Sequence, residues 1–284
     1  LGIPGELHER PWRDFGHNRS EAIQLAQGHC DYIWVMDADD MLVGRPEFRN
    51  LTADTYLMLI DDGVLYWRRQ LFRDGVPWRY QGVLHELAVC DSPTTEVRLG
   101  GDFRVLSRRI GGRNLDPHKY RRDAEILLAE VQRNPDDPRS VFYLAQSYYC
   151  YGDWVNSRKW DERRAEMGGW AEEVYYSSFR AAEAMAANND PWPEVQDAYL
   201  RAWNMRPSRA EALHALARHH RIAGRYALGH LFAEKAASLP LPDDVLFVNG
   251  SVHAWRALDE QAVCASWIGK QVEAFLISRR LVSI

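Results

Sequence analysis

Asp31–Leu42 reads DYIWVMDADDML, an apolar run that ends in three aspartates. The run is short, carries Tyr32, Ile33, Trp34 and Val35, and follows a glycine-containing loop. It therefore predicts a buried central strand, not a helix. The stretch before it, Asn18–Gln27, predicts a helix with Ala22, Ile23, Leu25 and Ala26 apolar and Gly28 as its stop. Carboxylates at the C-terminal end of a buried strand sit where open α/β sheets place ligand chemistry. On an extended chain alternate side chains share a face, so Asp37 and Asp39 are expected to reach one ion while Asp40 points elsewhere. Mg²⁺ and Mn²⁺ take oxygen ligands, commonly one or two carboxylates plus phosphate. The bland alternative is a solvated acidic turn.

Working outward, Thr55–Ile60, Val64–Phe72 and Val83–Val89 are rich in Val, Leu, Tyr or Trp between Asp-Gly or Asp-Ser turns. They read as strands, and Val97–Ile110 holds another. After Asp116-Pro117 the pattern turns helical, with Tyr120, Ala124, Leu127, Leu128 and Val131 on one face. Gly111–Asp116 is the expected boundary, giving an α/β domain over 1–114 and an all-α domain over 115–284. In the helical part Val141, Leu144, Ala145, Tyr148, Gly152 and Trp154 recur as Leu213, Leu216, Ala217, His220, Gly224 and Tyr226. Gly152 and Gly224 are 72 positions apart, twice 36, close to the tetratricopeptide period of about 34. A middle copy is expected over Ala171–Met205, with an enlarged turn at Asn188–Pro193. Asp161 falls where the repeat calls for a buried aromatic, so it is expected to be exposed or paired. The tail, Leu246–Ile284, is expected to cap the last repeat through Trp255, Leu258, Val263 and Trp267.

Composition bounds the function. The 284 residues carry 46 % apolar and 26 % charged side chains and a net charge of −5, an ordinary soluble balance without the basic field of a nucleic-acid binder. The longest apolar runs, such as Tyr56–Ile60, are too short for a bilayer. Cys30, Cys90, Cys150 and Cys264 are widely spaced, which indicates neither a zinc site nor a disulfide framework. A reducing cytoplasm is expected, including a peripheral place at the inner membrane face. Eleven Trp and thirteen Tyr suit carbohydrate contacts, or simply core packing. No signal peptide is evident. The chain opens at Leu1 with a strand–helix pattern already under way, as expected of a chain whose beginning lies upstream.

A second constellation is Trp78-x-Tyr80-x-Gly82-x-x-His85-Glu86. A transferase that inverts its sugar needs one general base for the acceptor hydroxyl; Glu86, or else His85, is the candidate. Trp78 and Tyr80 are candidate stacking platforms, and Gly82 allows close backbone approach. The plain alternative is a strand with an exposed polar pair. Arg19, Arg69 and Arg73 are candidates for diphosphate contact because Arg grips phosphate bidentately, although a single Arg is more often solvated surface.

Five segments carry a family resemblance: Asp14–Ala26, Asp31–Leu42, Arg69–Glu86, Asp116–Leu128 and Pro135–Asp153. Together they resemble family 2 glycosyltransferases, specifically bacterial members with C-terminal tetratricopeptide repeats. The resemblance implies a partial GT-A, Rossmann-like sheet, a nucleotide-sugar donor and a divalent cation (Mn²⁺ or Mg²⁺). It assigns Asp37 and Asp39 to metal and diphosphate, and His85 and Glu86 to the acceptor side. The acceptor would be a glycan, a lipid-linked glycan or a protein, with a protein partner on the repeat. Two departures stand out. The family's early V-D-x-x-S-x-D-x-T element is absent, and Ser107 and Arg108 stand where a histidine is expected before the repeats. The alternative from another class is a tetratricopeptide binding or scaffold protein with a remnant transferase half.

Overall fold

A computed structural model describes residues 5–108, 110–111 and 115–283. The middle of the expected boundary, Gly112–Asn114, and the opening Leu1 lie outside the described residues. Helix α1 (Phe15–Ala26) begins earlier than expected because Asp14 caps it, its Oδ1 accepting from His17 N at 2.7 Å. The strands are β1 (Tyr32–Trp34), β2 (Asp40–Pro46), β3 (Thr55–Asp61), β4 (Leu65–Arg73), β5 (Arg79–Gln81), β6 (Leu87–Val89), β7 (Glu96–Arg98) and β8 (Gly101–Ser107).

The main sheet runs β1-β4-β3-β8-β2, with β7 also on β3; β5 and β6 form a separate pair. It is a mixed sheet: β1, β3 and β4 pair antiparallel, as do β2 and β8, while β7 and β8 run parallel to β3. This corrects the expectation of a central strand at Asp31–Met36. β1 is three residues long and pairs only with β4 among the described residues. Its apolar character has another cause, because it is covered on both faces. Ile33 packs with Ile23, Phe72 and Trp78 beneath α1, while Tyr32 and Trp34 pack on the opposite cluster around Tyr56, Met58 and Leu71. The run Val83–Val89 is a strand only at Leu87–Val89; Leu84 instead turns into the helical core.

The helical part consists of α2 (Lys119–Arg133), α3 (Pro138–Tyr151), α4 (Trp154–Glu166), α5 (Ala171–Ala187), α6 (Trp192–Met205), α7 (Glu211–Ile222), α8 (Tyr226–Ala237), α9 (Ala257–Trp267, entered by a π turn over Val252–Arg256) and α10 (Gln271–Leu281). Each helix from α3 to α10 packs on the next in the chain, a stack of helical hairpins of tetratricopeptide type. Gly152 and Gly224, at φ +86° and +70°, make the two matching turns, a conformation only glycine adopts cheaply. Ala145 and Ala217, fully buried, sit at the helix crossings. The middle copy, α5–α6, matches its expected span. The tail is itself a hairpin, α9–α10, laid against α8; Leu258 is buried, whereas Trp267 stays 65 % exposed and stacks on Tyr226. Asp161 is buried and paired, bound by Arg180 through contacts of 2.6–3.0 Å.

Several contacts join the parts. Leu84 enters a core with Ala124, Leu127, Val141 and Leu144. The loop after α8 crosses back to β4, where Leu65 and Val248 exchange backbone hydrogen bonds of 2.9 Å and Trp67 N donates to Val245 O at 2.9 Å.

Candidate functional site

The acidic site begins with how α1 meets β5. A Cβ on Gly16 would lie 2.9 Å from Gly82 O, so only glycine lets the helix approach this closely. One turn on, Ser20 Oγ accepts from Tyr80 N at 2.8 Å. This seats Arg19 over the Tyr80 ring, 5.8 Å from its centroid. The Arg19 guanidinium then bridges two carboxylates, Asp37 and Glu86. Burial works against its charge, but Glu86 and Asp37 more than compensate and raise its pKa. Burial also pushes the Tyr80 phenol up to about 12.

Asp37, Ala38 and Asp39 form a turn closed by Asp40 N to Asp37 O at 3.1 Å. The expected alternation therefore fails, because the chain is no longer extended after Trp34. Asp37 faces Arg19 and Arg68, whose Nη2 lies 3.6 Å away. Asp39 turns instead to the segment after β8: its Oδ2 accepts from Gly111 N and its backbone oxygen from Arg108 Nε, both at 2.9 Å. Asp40 starts β2 opposite Ser107, and its buried carboxyl sits 3.5 Å from Arg68. Burial raises its pKa against the pull of Arg68 and a Ser107 hydrogen bond. The positions expected to hold a histidine thus do meet the acidic turn, as Ser107 and Arg108.

The remaining candidates divide. Glu86 joins the cluster with its side chain only 12 % exposed. His85, at φ +51°, does not; its ring stacks on Tyr143 of α3 at 4.0 Å and its carbonyl accepts from Arg139 Nη2 at 2.7 Å, tying the sheet to the repeat. Trp78 is 3 % exposed, a core residue against Phe72, and is no exposed platform. Arg73 pairs in register with Tyr32 at the far end of β1 and reaches Thr52 and Asp54. Arg69 points to Glu96 and Ala88. A second guanidinium beside Arg19 that reaches the aspartates, Arg68, was not singled out by sequence. Strand alternation separates it from Arg69, but which face meets Asp37 depends on the fold. The donor set near Asp37 and Asp39 is all oxygen, which suits Mg²⁺ or Mn²⁺. A cleft of about 900 Å³ opens beside Tyr80, floored by Gly82 and walled by the α2–α3 turn.

A second site lies on the concave face of the repeat and was invisible in the sequence. The segment Asp243–Asn249, bent at Val245–Leu246, is held there by its backbone. Val245 N and Leu246 N donate to Glu172 Oε2, each at 2.8 Å. Arg209 donates to Leu246 O and Phe247 O at 3.1 and 2.8 Å, and Asn249 N donates to Glu211 Oε1 at 3.0 Å. Phe247, at φ +45°, puts its ring among Phe142, Tyr176 and Tyr66.

No family model matches the chain, and no curated protein matches it. Among solved structures it is similar to MamA at 15 % identity and a TM-score of 0.47, over 61 % of this chain and 93 % of that one. It is also similar to nearly identical TPR-like repeats named for a kinesin light chain of Podosopora anserina. There the identity is 16 % and the TM-score 0.43, over 58 % of this chain and 86 % of that one. The helical-hairpin assignment above rests on this chain's own helix order and packing.

Proposed function

We propose that the chain is a helical-repeat binding protein whose groove takes a short stretch of a partner protein. The observation that carries this reading is the grip on Asp243–Asn249. Glu172, Arg209 and Glu211 bond its backbone, and one aromatic ring anchors it. Such a grip would hold another segment that repeats this bend and offers an aromatic side chain. The test uses a labelled heptapeptide with the sequence of residues 243–249. Phe247→Ala, which loosens the resident segment, is expected to bind the peptide while the unaltered protein does not. Absence of binding to both would sink the reading.

A second reading concerns the N-terminal part: an inverting glycosyltransferase using a nucleotide-sugar donor and Mn²⁺ or Mg²⁺. The convergence of Asp37, Glu86, Arg19 and Arg68 favours it. To hold the ion, which when bound would offset charge on the departing diphosphate, Asp37 and Asp39 would first have to exchange their present partners, Arg19 and Gly111 N, and turn toward each other. An incoming diphosphate would compete for the Arg19 and Arg68 forks. That frees the Glu86 carboxylate to accept the acceptor hydroxyl's proton as its oxygen attacks the sugar and the nucleoside diphosphate leaves. Donor hydrolysis with Mn²⁺ is expected to fall in Asp37→Asn and Asp39→Ala. Rates equal to the unaltered protein would remove the metal assignment, and the remnant reading would stand.

A further inference from the structure

Beyond the resident segment, the concave face continues into a cavity of about 530 Å³ bounded by α5, α6, α7 and the π turn. α7 presents His214 and Arg218 to it one turn apart, and Arg256 enters from the π turn. Arg218 and Arg256 form no ion pair among the described residues. His214 is 8 % exposed and makes no hydrogen bond among them. Its ring nitrogens keep access to the cavity and are free to meet a ligand atom there. Burial, then Arg256 and Arg218, pull the His214 pKa down to about 4, so the imidazole is neutral there at pH 7.

Phe179, Tyr176 and Tyr199 line the cavity as well. Two acids do too: Glu183 accepts from Tyr199 Oη at 2.7 Å and Tyr149 Oη at 3.3 Å, and Glu211 is held by Arg209. Two unpaired guanidiniums facing one cavity repel each other, and an anion between them removes that repulsion. The volume matches a small-molecule site.

We propose that this cavity binds a small ring-bearing anion, a phosphate or carboxylate head on an aromatic or sugar ring. Arg218 and Arg256 grip the head, His214 completes its hydrogen bonds, and the ring lies against Phe179 and its neighbours. The cavity shares Tyr176, Glu211, Phe247 and Asn249 with the seat of the resident segment, so the inference rests on that segment staying in place.

The test is calorimetric titration of the whole chain with phenyl phosphate, benzoate and inorganic phosphate. One of the two ring anions is expected to bind more tightly than inorganic phosphate, and which one does identifies the head group. Arg218→Gln and Arg256→Gln are each expected to weaken binding by about tenfold or more, as loss of a charge-assisted hydrogen bond should. The double variant is expected to abolish it. Neither side chain is buried, so thermal melts should stay unchanged and exclude misfolding. Arg225→Gln, at an exposed turn, is expected to bind as the unaltered protein does. Failure of both ring anions to outbind inorganic phosphate would overturn the proposal. So would unchanged affinity in the double variant.

Discussion

Replacing Asp161 with Ala tests what holds the first two hairpins together. Asp161 on α4 is fully buried, and Arg180 on α5 is 3 % exposed. Arg180 Nε lies 3.0 and 2.9 Å from the two carboxylate oxygens, and Nη2 lies 2.6 Å from one of them. Nη2 also donates to Phe142 O at 3.1 Å, and the guanidinium rests 4.9 Å from the Phe142 ring centroid. Asp161→Ala leaves that guanidinium buried without its counter-charge, a loss of about 3–5 kcal/mol. At roughly 2–4 °C per kcal/mol for a chain of this size, the melt should fall by about 10 °C. Each hairpin leans mainly on its neighbours, so hydrogen exchange should accelerate first in α3–α6. The double variant Asp161→Leu, Arg180→Met should recover most of the loss, because an apolar pair carries no desolvation cost. Calorimetry and hydrogen exchange measure both. A single variant within about 1 kcal/mol of the unaltered protein would refute the reasoning. A double variant no better than the single would refute it too.

Gly44→Ala should separate β2 from β8, because at φ +85° its Cβ would lie 2.2 Å from Asp102 O and 2.9 Å from Phe103 Cα. A loss of about 2 kcal/mol or more is expected in urea titration, and an unmoved midpoint would count against it. Trp78→Ala should cost about 3–5 kcal/mol as a core truncation, whereas a Trp78 that only stacked on an acceptor would leave the melt alone. Stability should fall on acidification. Against burial, the nearby His253, the Arg209 guanidinium and a hydrogen bond from Asn249 N hold Glu211 down at about 2, below the ordinary 4.5. Its contribution is full above 4.5 and is lost as pH falls toward 2. His214, held near 4 by burial and the nearby arginines against an ordinary 6.5, likewise contributes fully above 6.5 and loses this as pH falls to 4. The melting temperature should therefore drop between pH 7 and pH 4.5, and His214→Phe should flatten that drop; an equal slope would exclude His214 as its source.

Periodicity alone placed the helical repeat. Ala145, Gly152, Ala217 and Gly224 sit at the crossings and turns their 72-residue spacing implied, since helix packing repeats locally along the chain. The acidic turn and Glu86 were also legible as chemistry, because residue type limits what a position can do. What the sequence left open was long-range. Trp78 and Tyr80 lie two apart on one run, yet one is in the core and the other beside Arg19. Arg68, Arg69 and Arg73 share β4, yet only Arg68 reaches the aspartates.

Local pattern, then, determined the hairpin stack and the kinds of group at the acidic turn, because helices and turns are set by residues a few positions apart. Tertiary structure decided the rest. It put β1 at an edge, turned Asp39 away from Asp37, set His85 against Tyr143, and laid Asp243–Asn249 into the groove more than thirty positions from Arg209. Those placements depend on which surfaces of distant segments fit together, and no short stretch of the chain encodes that.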